Sequence, residues 1–215
     1  MGQYYMPTLI AEDGSIRTLY SHAYDNGLKL MEHSYIGNNF VNAVLTLLWE
    51  NPCRVAWISD YSDDECGDLY EKKLVHEEFM QYYKAAWGDD RDDLLVKPKP
   101  RNIFTMKSKY KYLVNHTQRV YIHMGEYIAA NKWTESGGWV SRGKYDPLYS
   151  YDMCINPLSL LTACGNDRGG GDYHEGHPGY EHVGAWAFDL IEATGKRPTD
   201  YEKVSVHFTE QEKVA

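Results

Sequence analysis

The chain has 215 residues, of which 43% are apolar and 25% charged, the proportions of a folded globule with one sizeable core. Its longest apolar run, residues 41–49, is about half of the ~20 residues a bilayer-spanning helix needs. A formal net charge of −9 disfavours general affinity for nucleic acid or for an anionic membrane.

The opening, MGQYYMPTLI, has no basic stretch followed by an apolar block, which leads us to expect a cytoplasmic protein with no membrane association. Met6 stands where a myristoylation pattern on Gly2 needs a hydroxyl. Cys53, Cys66, Cys154 and Cys164 show no CxxC spacing and are expected as thiols. The 19 tyrosines are unusual, and tyrosine suits half-wet clefts and interfaces because it buries a ring while keeping a polar tip.

In chain order, residues 4–10 and 16–20 flank Glu12-Asp13-Gly14-Ser15, so a β-hairpin is predicted. Asn26-Gly27 marks a second turn. Asn38 or Asn39 caps a predicted helix over 40–49, with Val41, Val44, Leu45 and Leu48 on one face. Residues 54–59 read as an apolar strand that empties into Asp60, Asp63 and Asp64. A longer amphipathic helix is predicted over 69–87, and 88–93 reads as a loop. Lys97-Pro98-Lys99-Pro100 reads as an extended bridge. Residues 111–115 and 119–123 form a second predicted hairpin, followed by a short helix over 125–132 and a loop over 134–152. Asn156-Pro157 opens another helix, with Gly165 expected in the left-handed position that ends it. A 17-residue loop, 166–182, follows. Residues 186–191 and 204–208 close the chain as helix or strand. Strands and helices in mixed order with short hairpins predict an α+β fold, a single domain with a mostly antiparallel sheet covered by helices.

Chemistry concentrates in 164–182, CGNDRGGGDYHEGHPGYEH. Gly169, Gly170 and Gly171 let backbone N–H groups converge on an anion, and Arg168 supplies a planar donor fork beside them. No Gly-Lys-Ser/Thr follows, and the run comes after a helix, so neither a Walker loop nor a dinucleotide fingerprint fits. Asp172 and His174 are candidate acid–base residues, and His174 with His177 a candidate pair of metal ligands. Gly176, Pro178 and Gly179 rule out the helical spacing that would make a metal motif strong. Asp60, at the carboxyl end of a strand, is a second ligand-binding candidate, while Asp63 and Asp64 suit the start of a following helix. A third is the basic tract 97–111 with its interleaved aromatics, for which the chain's overall acidity favours a lysine-protected edge strand over a phosphate-binding surface.

The segments MGQYY, YDNGLKLMEHSY, RVAWISDYSDD, KYLVNHTQRVYIHM, INPLSLLTACGNDRGGGDYHEG and VGAWAFDLI together resemble a family of small bacterial and phage proteins. Its members open with Gly-Gln-Tyr-Tyr and carry Asn-x-Arg-Gly-Gly-Gly-Asp, here residues 166–172. The resemblance implies that Arg168, Gly169 to Gly171, Asp172 and Asp60 belong to the family's recognisable core, and it implies no activity. The residues leave three readings. One is binding of a small anionic ligand, a nucleotide among them, with the glycine segment against the end of the 54–60 strand and tyrosines stacking on a base. Another is a hydrolase in which Asp172, His174 or His177 activates water, alone or through a divalent metal aided by Asp60. The third is a tyrosine-rich module that binds another protein.

Overall fold

The first predicted hairpin forms: β1 (Tyr5–Ala11) and β2 (Ile16–Thr18) pair antiparallel, with Leu9 opposite Arg17. Gly14 turns the chain at φ 79°, and Asp13 Oδ1 accepts from Ser15 N at 2.9 Å. A computed structural model describes residues 3–62, 74–101, 111–131, 154–165 and 172–209.

β3 (Cys53–Ser59) pairs with β1 along its whole length, from Tyr5 opposite Ser59 to Ala11 opposite Cys53. The second predicted hairpin is β4 (Tyr112–Asn115) and β5 (Val120–His123). The remaining strands are short: β6 (Ala163–Cys164), β7 (Leu190–Thr194) and β8 (Glu202–Lys203). Their order is β2-β1-β3-β7-β4-β5-β8, with β6 also on β3. Among the described residues only β3–β6 and β5–β8 run parallel, so the sheet is mostly antiparallel.

Alternation along the strands feeds two cores. Tyr5, Leu9, Val55 and Trp57 join the larger one with Phe40, Val41, Val44 and Leu45 of α2 (Asn39–Leu47); α1 (Leu30–His33) precedes it. Met6, Ala56 and Ile58 join Phe79, Tyr82 and Ala86 of α3 (His76–Trp87). The sheet is thus covered by helices, in an α+β fold. Asn38 caps α2 as predicted, its Oδ1 accepting from Phe40 N at 2.8 Å and Val41 N at 3.4 Å.

Several boundaries differ from expectation. α3 begins at His76, while 63–73 lie outside the described residues. The 88–93 loop contains part of a short helix, α4 (Arg91–Leu94). α5 (Met124–Ala130) matches the helix expected there, and 132–153 lie outside the described residues. α6 (Pro157–Leu161) opens at Asn156 as expected, but Gly165 does not end it in a left-handed conformation. Thr162 is the C-cap and the chain goes straight into β6, while Gly184 N, Trp186 N and Trp57 N donate to the carbonyls of Leu160, Leu161 and Thr162 that a glycine cap would otherwise serve. Residues 186–189 form turns before β7, and 204–208 lie beyond β8 without joining a strand. Asn131 ties down that last segment, accepting from Phe208 N at 2.8 Å and donating to Val206 O at 3.2 Å.

Trp57 and His33 meet in the larger core, both fully buried. Trp57 Nε1 donates to His33 Nε2 at 3.0 Å, and His33 Nδ1 lies 3.1 Å from Gly27 O. With Nε2 accepting and a carbonyl facing Nδ1, the ring is the neutral Nδ1–H tautomer. Burial pushes its pKa down to about 4, against the Gly27 carbonyl, which favours the protonated ring. A folded-state value below the unfolded ~6.5 means that stability is full above pH ~6.5 and lost as pH falls through about 4. We expect this group to cost the protein about 3 kcal/mol between pH 7 and pH 4. Denaturant unfolding of wild type and His33→Gln at both pH values checks it: the gap between them should shrink by that amount at pH 4, and an unchanged gap is the contrary result.

Candidate functional site

The parallel pairing of β6 with β3 decides where Gly165 lies, the last described residue before the glycine-rich segment. Ala163 lies opposite Trp57 and Cys164 opposite Ile58, so the chain departs at Gly165 from the carboxyl end of β3. Ser62 fastens that exit, its Oγ donating to Cys164 O at 2.6 Å. Gly165 is glycine for want of space: a Cβ there would lie 2.5 Å from Tyr5 Oη, 2.9 Å from Gln3 Oε1 and 3.0 Å from Ser59 Cβ.

Asp60 follows β3 at this end. Its N–H donates to Tyr4 O and its Oδ1 accepts from Tyr4 N, both at 3.0 Å. Two tyrosines belong to this stretch of backbone, Tyr4 before β1 and Tyr61 after Asp60. They are 43% and 41% exposed, large rings presented to solvent when most aromatics of the described chain are covered. Gln3 lies beneath, buried at 5% exposure. Its Oε1 accepts from Tyr5 Oη at 2.7 Å, while its Nε2 has no hydrogen-bond partner among the described residues. A buried amide donor left unpaired is costly unless an acceptor reaches it. This end of β3 therefore offers two exposed aromatic side chains and a carboxylate that can accept from hydroxyl or amino groups.

At the far end of the segment, Asp172 Oδ2 accepts from Met31 N at 3.4 Å, on α1. Burial pushes the Asp172 carboxyl up, opposed by the Met31 N–H and the charge of Lys29. Gly165 and Asp172 are thus fixed to different elements, and the residues between them, Arg168, Gly169, Gly170 and Gly171 included, lie outside the described residues. Beyond Asp172 the expected long loop is anchored. The Tyr173 hydroxyl reaches the carbonyls of Pro178 and Phe208, and Gly179, at φ 73°, brings its backbone so close to His207 O that a Cβ would collide with it.

His174 is exposed, and its Nδ1 lies 2.7 Å from Glu175 O. The His177 ring stacks on Tyr173 at 4.8 Å and meets His174 edge-on at 4.3 Å. The two histidines are neighbours as their spacing suggests. Among the described residues no group of three or more His, Cys, Asp or Glu is arranged to hold a metal ion. Asp63 and Asp64 lie outside the described residues, as do 102–110 of the basic tract. The described part of that tract is a strap: Pro98 O accepts from Tyr24 Oη at 3.0 Å, and Arg101 N donates to Thr46 Oγ1 at 3.0 Å. Cys53, Cys154 and Cys164 are buried thiols, and burial pushes the Cys53 thiol up to about 11. Among the described residues no helix is long and apolar enough to cross a membrane.

Sequence patterns did not reveal Gln3 or the exchange between Tyr4 and Asp60, because 56 positions separate the two and only the β1–β3 register brings them together. Comparison with known proteins gives no match, whether to a protein-family model, a curated protein or a solved structure.

Gly165→Ala should destabilise the protein by about 1–3 kcal/mol, since Tyr5 and Gln3 are buried and cannot swing away from the added methyl. Denaturant unfolding measures this, and wild-type stability would show that the exit is looser than described.

Proposed function

We propose that the carboxyl end of β3 binds a small anionic ligand carrying an aromatic ring, the chemistry of a nucleotide. The observation that carries this reading is the parallel β3–β6 pair, which brings Gly165 to the end of β3 that Asp60 follows; Arg168, Gly169, Gly170 and Gly171 come next in the sequence. In this reading the tyrosine rings stack on the base. Asp60 accepts from hydroxyl groups, and Arg168 with the glycine N–H groups holds the phosphate. An acidic chain needs such a local donor set, because its overall field repels anions. The Asp172 carboxyl, pushed up by burial, favours acid–base hydrolysis of the bound ligand as a second reading. The resemblance of the 166–172 motif to small bacterial and phage proteins is in keeping with an accessory role.

Thermal melting against a panel of nucleoside mono-, di- and triphosphates tests this. Saturation at about 100 times Kd should add about 2.7 kcal/mol of stability, a rise of roughly 5–10 °C. Tyr61→Ala and Arg168→Ala should melt like wild type without ligand, and Tyr61→Ala should lose about 1–3 kcal/mol of binding. A panel in which no nucleotide moves the transition contradicts the reading, as do variants that respond like wild type.

A further inference from the structure

In the half of the sheet formed by β7, β4, β5 and β8, three residues from separate segments join in a hydrogen-bonded chain. His116 directly follows β4, Glu192 lies on β7 opposite Val114, and Tyr201 precedes β8. His116 Nε2 is 2.9 Å from Glu192 Oε2, and His116 Nδ1 is 3.0 Å from Tyr201 Oη. A carboxylate can only accept, so Nε2 carries the proton; in the neutral ring Nδ1 then accepts, and the phenol O–H donates to it. The imidazole and carboxylate side chains are 25% and 17% exposed, shielded yet not sealed. The Arg119 guanidinium sits 5.1 Å from the centre of the Tyr201 ring and donates to Asp200 O at 3.2 Å. Arg119 and Asp200 hold left-handed backbone conformations, φ 57° and 61°, that side-chain-bearing residues seldom adopt.

Holding the β4–β5 turn in place does not require this chain. His116 N already donates to Leu190 O at 2.8 Å, Leu190 N to Thr117 Oγ1 at 2.9 Å, and Glu202 N to Arg119 O at 3.0 Å. The order carboxylate, imidazole, hydroxyl is the arrangement that activates a hydroxyl nucleophile: the imidazole takes the proton and the carboxylate orients the ring.

We propose that Tyr201 is a nucleophile towards electrophilic phosphorus, with His116 as its general base and Glu192 as the residue that positions His116. Tyr201 Oη forms the new O–P bond, the bond from phosphorus to its leaving group breaks, and that group departs with the electron pair. The phenolic proton passes to His116 Nδ1. The Arg119 guanidinium, 5.1 Å from the centre of the Tyr201 ring, puts a cation beside the nucleophile that can offset negative charge gathering on phosphoryl oxygens, which favours a phosphoryl donor as the substrate class.

The test is covalent labelling with an alkylphosphonofluoridate, which releases fluoride, followed by peptide mapping of the adduct. Tyr201 should be modified at least tenfold faster than Tyr4 and Tyr61, which serve as exposed tyrosines outside the chain. His116→Ala should erase that excess, and added imidazole should restore part of it, which a merely structural role would not allow. Glu192→Gln should lower the maximal labelling rate and leave the half-saturating probe concentration unchanged. The proposal is overturned if Tyr201 reacts no faster than Tyr4 and Tyr61. It is equally overturned if the excess survives His116→Ala in protein with a wild-type near-ultraviolet circular dichroism spectrum. Should His116→Ala not fold, the comparison of the three tyrosines in wild type decides alone.

Discussion

Six of the seven residues of β3 are buried, so its backbone must be satisfied along both edges without help from water. β1 covers one edge from end to end. The other edge is shared between segments that approach from opposite directions. Val55 N donates to Asp189 O at 3.2 Å and Val55 O accepts from Phe188 N at 2.7 Å, while Trp57 N donates to Thr162 O at 2.8 Å. Phe188 reaches its position through a left-handed backbone at φ 64°, a strain that the pairing and its own burial against Phe79 and Tyr82 offset. Gly184 N to Leu160 O and Trp186 N to Leu161 O then join the two segments to each other, at 2.9 and 2.7 Å. Because the 163–164 piece runs parallel to β3, Gly165 lies where β3 ends. The position of the candidate site follows from this division of one strand edge.

Local chemistry explains which parts of this could be read beforehand. Asp13-Gly14 fixes the first hairpin, Asn38 caps α2 and Asn156-Pro157 opens α6, each within a few residues of what it controls. The 54–59 run is apolar on both faces, which is what a doubly covered strand needs. Gly165 misled because a glycine after a helix usually marks a left-handed cap, whereas here the crowding comes from Gln3, Tyr5 and Ser59, remote in sequence. Strands of two residues such as β6 and β8 carry no periodicity at all; the sheet imposes them.

The same limit governed the candidate residues. Asp60 was legible as a carboxylate ending an apolar strand, but its exchange with the Tyr4 backbone depends on the β1–β3 register. His33 gives no sign in sequence that it is a neutral core residue beneath Trp57. His116, Glu192 and Tyr201 are separated by 76 and 9 positions and come together only because β4 pairs with β7 and β5 with β8. Hydrogen bonds that cross strands cannot be read from spacing along one segment.

The central claim, that ligand binds at the carboxyl end of β3, is tested most directly by amide chemical-shift mapping during titration with ATP. The account predicts that the amides of Tyr4, Asp60, Tyr61 and Gly165 shift together and saturate at one concentration, along with the side-chain amide of Gln3. Shifts confined to other parts of the sheet, or none at saturating ATP, would contradict it.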